Sequence, residues 1–254
     1  MKVSVEVPVF KHKFLKETIR SVLMQEFDNW HLYLLSDGAS AKARKIMTTL
    51  GKHPKISIRF EENCGIGPSR RKLTDWSDSD YIVPLDDDDI LLPDCLTEMV
   101  ACMDSHERAG LVRARRKFVD QKGRILDESC WFPFEERKMF LGMTCDVHNH
   151  SQPCLIRREA YDKTEGWFGF HEYGGAGEDC DIFLKIEEVA EIVLLDKVLY
   201  GYRLHRKRFS RDLGSKSAYQ MWKRLADMTI RRRGLKLRRV NDKPPFEYER
   251  IDAG

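Results

Sequence analysis

Short strand-like segments alternate with helix-like segments through the first 85 residues of the chain. The strand-like segments are VSVEVPVF, HLYLLS, KISIRFEE and DYIVPL, and the helix-like segments between them are FLKETIRSVLMQ, AKARKIMTTL and PSRRKLTDWS. Parallel strands need long crossover connections, which are usually helical. The alternation therefore predicts an α/β fold with an open, mainly parallel sheet flanked by helices.

The pattern changes near Leu111, where LVRARRKFVD, the turn QKGR and ILDES predict a hairpin followed by an aromatic-rich stretch. CLIRREAY and EDCDIFLKIEEVAE then predict a strand and a helix, and IVLLD and VLYGYRLH predict two late strands. We expect a main domain over residues 1–212, with halves at 1–110 and 111–212. The second half carries a smaller β and aromatic subdomain, and residues 213–254 form a basic C-terminal helical extension.

The composition predicts a globular protein in the cytoplasm. The 254 residues are 42% hydrophobic, enough for a sizeable core. No run approaches the roughly 20 apolar residues that cross a bilayer, and no signal region precedes the first strand. The seven cysteines contain no C-x-x-C pair, so neither a disulfide framework nor a zinc site is indicated.

Positive charge is concentrated near the C-terminus, although the whole chain has a net charge of only +3. Residues 216–240, the basic segment, hold nine Lys and Arg against a single Asp, Asp227, a net charge of +8. Such a segment suits nucleic acid, anionic lipid or an acidic partner. It is equally consistent with a solvated helix face.

Four consecutive carboxylates, Asp86–Asp89, follow the strand DYIVPL; we call them the acidic run. Like charges this close raise one another's pKa, so a cation is expected beside them. Mg²⁺ and Mn²⁺ prefer oxygen ligands and often bind one or two carboxylates together with substrate phosphates. A helix start before LLPDCLTEMV explains one or two of the four. The run therefore predicts a metal and diphosphate site.

Five motifs together resemble those of the family-two glycosyltransferases with the GT-A fold. In chain order, the first motif is the strand-helix-strand unit of residues 3–40, which ends in SDGAS. The other four are ENCGIGPSRRK, DYIVPLDDDDILLPD, GEDCDIFLKI and LYGYRLHRKRFS. The resemblance spans roughly residues 2–210. It implies a Rossmann-like GT-A sheet and an enzyme, a hexosyltransferase or related transferase, that moves sugar from a nucleoside diphosphate sugar to an acceptor hydroxyl.

The resemblance also implies roles for residues at the donor. Pro8, Phe10 and Asp37 would hold the nucleobase, and Arg70 would lie near the nucleotide. Uridine is the most frequent base in this family, so a UDP-sugar is expected. Ser36 stands where the family usually has Asp, and Phe10 stands where a hydroxylated aromatic often lies.

Within the acidic run, the resemblance implies a division of roles. Asp86 and Asp87 would face ribose and diphosphate. Asp88, His205 and Asp86 would be the ligands of Mn²⁺ or Mg²⁺. Asp89 is left to begin the following helix.

Glu178 and Asp179 match the E-D pair that family members carry beneath the acceptor, which implies that Asp179 is a general base. A carboxylate within hydrogen-bond reach of a hydroxyl can take its proton as the oxygen attacks the anomeric carbon. Direct displacement predicts inversion. Taken alone, the pair would more simply cap a helix.

Nothing in these motifs identifies the acceptor. Trp131 and Trp167 are candidates for stacking on sugar, or for core packing. A glycan or glycoconjugate is the expected acceptor. Arg231, Arg232 and Arg233 support an alternative, a phage-type DNA glycosyltransferase acting on hydroxymethylated bases, and the basic segment also suits peripheral membrane contact. A second alternative is a non-catalytic module that binds nucleotide or carbohydrate.

Overall fold

The protein is described by a computed structural model. It describes residues 1–11, 13–127, 144–145, 153–173, 175–205, 214–241 and 246–251. Trp131 lies outside these residues.

The described residues form twelve strands and seven α-helices. The strands are β1 (Val3–Val9), β2 (Trp30–Asp37), β3 (Ile56–Glu61), β4 (Tyr81–Pro84), β5 (Ile90–Leu91), β6 (Ala109–Val119), β7 (Ile125–Asp127), β8 (Thr144–Cys145), β9 (Cys154–Arg157), β10 (Glu191–Arg203), β11 (Leu237–Arg239) and β12 (Phe246–Arg250). The helices are α1 (Leu15–Leu23), α2 (Ala41–Leu50), α3 (Ile66–Trp76), α4 (Cys95–Asp104), α5 (Arg158–Asp162), α6 (Glu178–Val189) and α7 (Gly214–Arg232).

One large sheet has the strand order β3-β2-β1-β4-β9-β6-β10-β5, with β7 paired to β6. The strands β3, β2, β1 and β4 run parallel, and β10 runs parallel to β6. The strands β9 and β5 are antiparallel to their neighbours. The predicted fold, a mainly parallel sheet flanked by helices, is confirmed.

The first strand shows why the sheet is covered on both faces. Val3, Val5, Val7 and Val9 join a core cluster that includes residues of α1, α2 and α4. On the other face, the carboxylate of Glu6 accepts hydrogen bonds from Thr74 Oγ1 at 2.6 Å and from Ser77 Oγ at 2.7 Å, on and just after α3. Because side chains alternate along a strand, β1 packs against helices on either side.

Two sequence predictions differ from the structure in this region. The two late strands form one continuous strand, β10, whose pairing with β6 shifts register between Leu195 and Val198. This irregularity takes up Asp196 and Lys197, the polar pair that made one strand look like two. The helix predicted to begin at Asp89 instead begins at Cys95, after the short strand β5.

The C-terminal part packs on the main sheet's helical layer. Met221, Leu225 and Ile230 of α7 share a buried cluster with Cys180 and Leu184 of α6. The strands β11 and β12 form a hairpin, and β12 also pairs with β8. Among the described helices, none is both long and apolar enough to cross a membrane.

Candidate active site

Polar residues meet where the parallel strands β1, β2 and β4 end. Val9 lies beside Ser36 in the β1–β2 register, which brings Phe10 next to Asp37. Pro8 is buried, whereas Phe10 is 53% exposed. Asp37 accepts a hydrogen bond from the backbone N–H of Cys64 at 2.6 Å. The three residues predicted to hold a nucleobase therefore lie together at one edge of the sheet.

The acidic run leaves β4 at the same edge, and its second residue is held by the end of β1. Asp87 Oδ2 accepts hydrogen bonds from the backbone N–H groups of Phe10 at 2.8 Å and Lys11 at 2.6 Å. Burial, assisted by the neighbouring Asp88, raises the pKa of Asp87 to about 7, even though these two hydrogen bonds oppose the shift. Asp87 thus links the end of β1 to the acidic run.

Asp88 and His205 come together although they lie far apart in sequence. Asp88 Oδ2 is 2.8 Å from His205 Nε2, and both side chains are largely buried. Burial and the nearby Asp86 raise the pKa of Asp88, against the lowering effect of the imidazole. The structure therefore places the two predicted metal ligands in contact.

Asp89 does not begin a helix, so its predicted role is wrong. It is 1% exposed, and its carboxylate accepts hydrogen bonds from Tyr200 Oη at 2.8 Å and the backbone N–H of Arg203 at 2.7 Å. Burial, together with the charges of Asp88 and Asp86, raises its pKa well above the ordinary value. Both donors belong to β10, which local sequence could not indicate.

Ligand oxygens of Asp86, Asp88 and Asp89, which we call the acidic cluster, all lie within 4.8 Å of one another. Three hard oxygen donors with a histidine beside them form a donor set that suits Mn²⁺ or Mg²⁺. Burial, followed by repulsion between neighbouring carboxylates, raises the pKa values of Asp88 and Asp89, so a bound cation would stabilise their charged forms. The residues present therefore fit a divalent cation.

Arg70 joins the acidic run to the start of α6. Its Nη2 atom is 2.7 Å from Asp86 Oδ1 and 3.8 Å from Asp179 Oδ1, and its Nε atom is 3.3 Å from Glu178 Oε1. Arg70 is 1% exposed. Burial alone would lower the pKa of its guanidinium, but the carboxylates of Asp86, Asp179 and Glu178 raise it overall.

Glu178 and Asp179 differ in exposure although they are adjacent. The Glu178 side chain is 9% exposed and that of Asp179 is 22% exposed. Burial, followed by the charge of Asp179, raises the pKa of Glu178 to about 8, while Arg70 opposes the shift. Asp179 is therefore the more accessible carboxylate, and Glu178 favours the protonated state near neutral pH.

Glycines let the loop before α6 lie directly on the start of α3. A Cβ atom on Gly175 would lie 2.8 Å from the backbone nitrogen of Ile66, and Gly175 has a φ of +87°. A Cβ atom on Gly67 would lie 2.8 Å from the backbone nitrogen of Gly169, and one on Gly169 would overlap the carbonyl oxygen of Gly175. These close contacts place the backbone of the loop before α6 on the backbone at the start of α3.

Trp167 does not provide an open surface for sugar stacking, so that part of its prediction is wrong. It is 3% exposed, and its indole Nε1–H donates a hydrogen bond to Thr74 Oγ1 at 2.9 Å. It packs in the core with Ile82 and Phe183. The alternative of core packing is correct for this residue.

Two arginines of the basic segment have carboxylate partners on α6. Arg232 Nε is 2.9 Å from both carboxylate oxygens of Glu188, and Arg233 Nη2 is 2.8 Å from Glu187 Oε2. Arg231 is exposed. Partners inside the chain account for the charge of Arg232 and Arg233, two of the three arginines on which the DNA alternative depended.

A family model described as "Glycosyl transferase family 2" matches residues 4–164, more than half of the chain. The chain belongs to this family. The resemblance read from the five motifs is thereby confirmed, and so is the prediction of a glycosyltransferase enzyme.

Relatives and solved structures agree with this membership. A chondroitin synthase of Escherichia coli is 25% identical over 214 residues, covering 82% of this glycosyltransferase and 30% of the relative. The crystal structure of S. aureus TarS 1-349 in complex with UDP has a TM-score of 0.70 at 19% identity, covering 91% of this chain and 65% of that one. The mannosyltransferase PcManGT from Pyrobaculum calidifontis, in complex with GDP-Man and Mn²⁺, has a TM-score of 0.65 at 12% identity.

The glycosyltransferase spans only part of these proteins. It covers about a third of the chondroitin synthase and just under two thirds of the TarS chain. The structural neighbours share its fold, and the match to the synthase lies within a longer protein.

Proposed function

We propose that this glycosyltransferase moves a sugar from a nucleoside diphosphate sugar to a glycan hydroxyl, with inversion at the anomeric carbon. One observation carries the proposal. The acidic cluster and the Glu178–Asp179 pair lie in one connected site, because Arg70 contacts Asp86 and both members of the pair. Cation-binding carboxylates and an accessible base are the two parts that such a transfer needs.

The donor half of the proposal uses the edge of the sheet. Pro8, Phe10 and Asp37 would hold the nucleobase, while Asp86 and Asp87 would face ribose and diphosphate. UDP is the proposed nucleotide, supported by the bound UDP in TarS. GDP is the competing candidate, because PcManGT was crystallised with GDP-Man.

One nitrogen of Arg70 is the proposed contact with the sugar donor. Its Nη1 atom is buried without a hydrogen-bond acceptor among the described residues. A buried donor left unpaired costs about 1–3 kcal/mol, so an anionic ligand at this point would be favourable. A phosphate oxygen of the donor is the proposed partner.

Asp86, Asp88 and His205, joined by Asp89, would hold Mn²⁺ or Mg²⁺. When bound, such an ion stabilises negative charge on the departing diphosphate. The protein's own contribution is a fixed carboxylate geometry. Asp89 is held by Tyr200 and Arg203, and Asp88 by His205.

Asp179 is the proposed general base. Its carboxylate is more exposed than that of Glu178, so an acceptor hydroxyl could reach it and give up its proton. Glu178, with a pKa raised to about 8, would remain protonated near neutral pH and leave Asp179 as the ionised member. A hydroxyl that attacks directly requires no covalent intermediate, which gives inversion.

The test is release of nucleoside diphosphate from a panel of UDP- and GDP-sugars with Mn²⁺, comparing the wild type with Asp179→Asn. We expect release from one donor, reduced by about 10²–10⁴-fold in the variant. Release that is unchanged by the substitution would exclude Asp179 as the base. Tight nucleotide binding without any release would favour the non-catalytic module.

A further inference from the structure

Arg70 occupies a position in which an arginine needs compensation. It is 1% exposed, and its guanidinium carbon lies 5.6 Å from the ring centroid of Trp167, itself a core residue. A buried charge is tolerated where opposite charges and hydrogen bonds surround it. Here the compensation comes from two places in the chain, the acidic run and the first turn of α6.

Asp86 belongs to two groups at once. One of its oxygens, Oδ1, lies 2.7 Å from Arg70 Nη2, and the residue also contributes a ligand oxygen to the acidic cluster. Arg70 therefore acts on the charge and orientation of a carboxylate that would bind the cation. A carboxylate held more strongly by a guanidinium is a weaker ligand for a metal.

The same nitrogen of Arg70 also faces the base. Nη2 lies 3.8 Å from Asp179 Oδ1, and Nε lies 3.3 Å from Glu178 Oε1. One buried guanidinium thus contacts the acidic side chains of Asp86, Glu178 and Asp179. Because the charge is shared, a stronger interaction with one carboxylate weakens the interactions with the others.

We propose that Arg70 is a positioning residue that couples the charge of the Glu178–Asp179 pair to the cation affinity of the acidic cluster. This inference rests on the proposed function for the cation site. Negative charge on the pair draws the guanidinium toward α6 and leaves Asp86 a better ligand. Such coupling is reciprocal, so Arg70 holds the pair more firmly when Asp86 has given part of its charge to a cation.

The backbone around Arg70 favours an electrostatic link over a movement. Gly175 lies against Ile66 and Gly67 at the start of α3, with no space for a side chain between them. The loop before α6 is therefore packed directly on the start of α3, the helix that carries Arg70. A change of charge on one side reaches the other through Arg70 without a rearrangement of the loop.

The experiment is a Mn²⁺ titration without nucleotide, in which free Mn²⁺ is measured by electron paramagnetic resonance. Asp179→Asn, which removes the charge beside the Arg70 nitrogen that also contacts Asp86, should weaken Mn²⁺ binding by about fivefold in the wild-type background, the lower end of common coupling energies. In the Arg70→Met background the same substitution should change the affinity by less than about twofold. Arg71→Met is the matched control, because Arg71 is the exposed next residue and forms its ion pair with Asp75, away from the acidic run. The fivefold effect should persist there.

The outcomes separate coupling through Arg70 from direct Coulomb attraction. An equal effect of Asp179→Asn with and without Arg70 would overturn the inference, and so would no effect, or no Mn²⁺ binding, in the wild type. Should Arg70→Met fail to fold, Arg70→Lys retains the charge without the shared Nε and Nη2 contacts. The coupling should again fall below about twofold, and coupling of the wild-type size would contradict the proposal.

The titration contains no sugar donor and no acceptor, so its result is independent of turnover. Coupling without release of nucleoside diphosphate would retain the link and reject the proposed transfer. Release without coupling would do the reverse.

Discussion

The acidic run and the basic segment are both dense in charge of one sign, but their charges have different partners. The carboxylates of the acidic run converge, and burial raises the pKa values of Asp87, Asp88 and Asp89. Arginines of the basic segment instead pair with Glu187 and Glu188 of α6. A run of like charge therefore indicates a binding site where the chain itself does not supply enough opposite charge to balance it.

The largest effect should come from removing a carboxylate of the acidic cluster. Asp88→Ala should lower Mn²⁺-dependent release of nucleoside diphosphate by about 1,000-fold, since a metal ion contributes several kcal/mol to stabilising the leaving group. Asp94→Ala is the control, because Asp94 lies six residues further along the chain, after β5, and makes no side-chain cap to α4. Equal losses in both variants would show that the acidic run has no special role.

Asp89→Ala should destabilise the protein by about 3 kcal/mol, because the Tyr200 hydroxyl and the Arg203 N–H would lose a buried acceptor. The free energy of unfolding, measured by urea denaturation, checks this value. The Asp94→Ala control should stay within about 0.5 kcal/mol of the wild type. A loss in Asp89→Ala no larger than that in the control would contradict the role of Asp89 as a buried hydrogen-bond acceptor.

The charge on Glu178 should make stability depend on pH. Its pKa is raised from 4.5 to about 8 in the folded protein, so the folded state binds a proton that the unfolded state has lost over this range. The contribution is therefore present below pH 4.5 and is lost as the pH rises toward 8, by up to about 1 kcal/mol per pH unit.

Glu178→Gln should flatten this part of the profile when unfolding free energies are compared between pH 5 and 8. Asp87, whose pKa is raised to about 7, adds a slope of the same sign that remains in the variant. Identical profiles for the variant and the wild type would contradict the raised pKa of Glu178.

The smallest effect should come from the basic segment, where carboxylates of the same chain already pair with the arginines. Arg233→Met should lower the free energy of unfolding by about 1 kcal/mol, because its partners Glu187 and Glu188 are only partly exposed. Arg231→Met, at an exposed neighbouring position, should change it by less than about 0.5 kcal/mol. If both variants instead weakened a salt-sensitive binding to duplex DNA, the basic segment would be a partner surface and the comparison would fail.

The sequence predicted the alternation of strands and helices well, because apolar residues recur at a different spacing in each kind of element. The sites at strand ends followed from the same alternation, since parallel strands bring Phe10, Asp37 and the acidic run to one edge. The role of Asp89 could not be predicted, because Tyr200 and Arg203 lie more than 100 residues further along the chain. The contact of Arg70 with Glu178 spans 108 residues and was equally hidden.

Other predictions stay as they were. The division of the chain at residues 110 and 212 and the cytoplasmic location stay predictions. Trp167 shows the limit of composition, because an aromatic suited to sugar is equally suited to a core, and only its burial distinguishes the two.

The glycine contact between the start of α3 and the loop before α6 has a consequence for engineering. Exchanging the acceptor half with that of a relative, in order to change the acceptor, joins two backbones that meet without side chains at Gly67, Gly169 and Gly175. A donor half and an acceptor half from different parents would fit only if both kept these glycines. The parents of a chimaera should therefore be chosen first for glycine at these three positions, and only then for the residues that face the sugar.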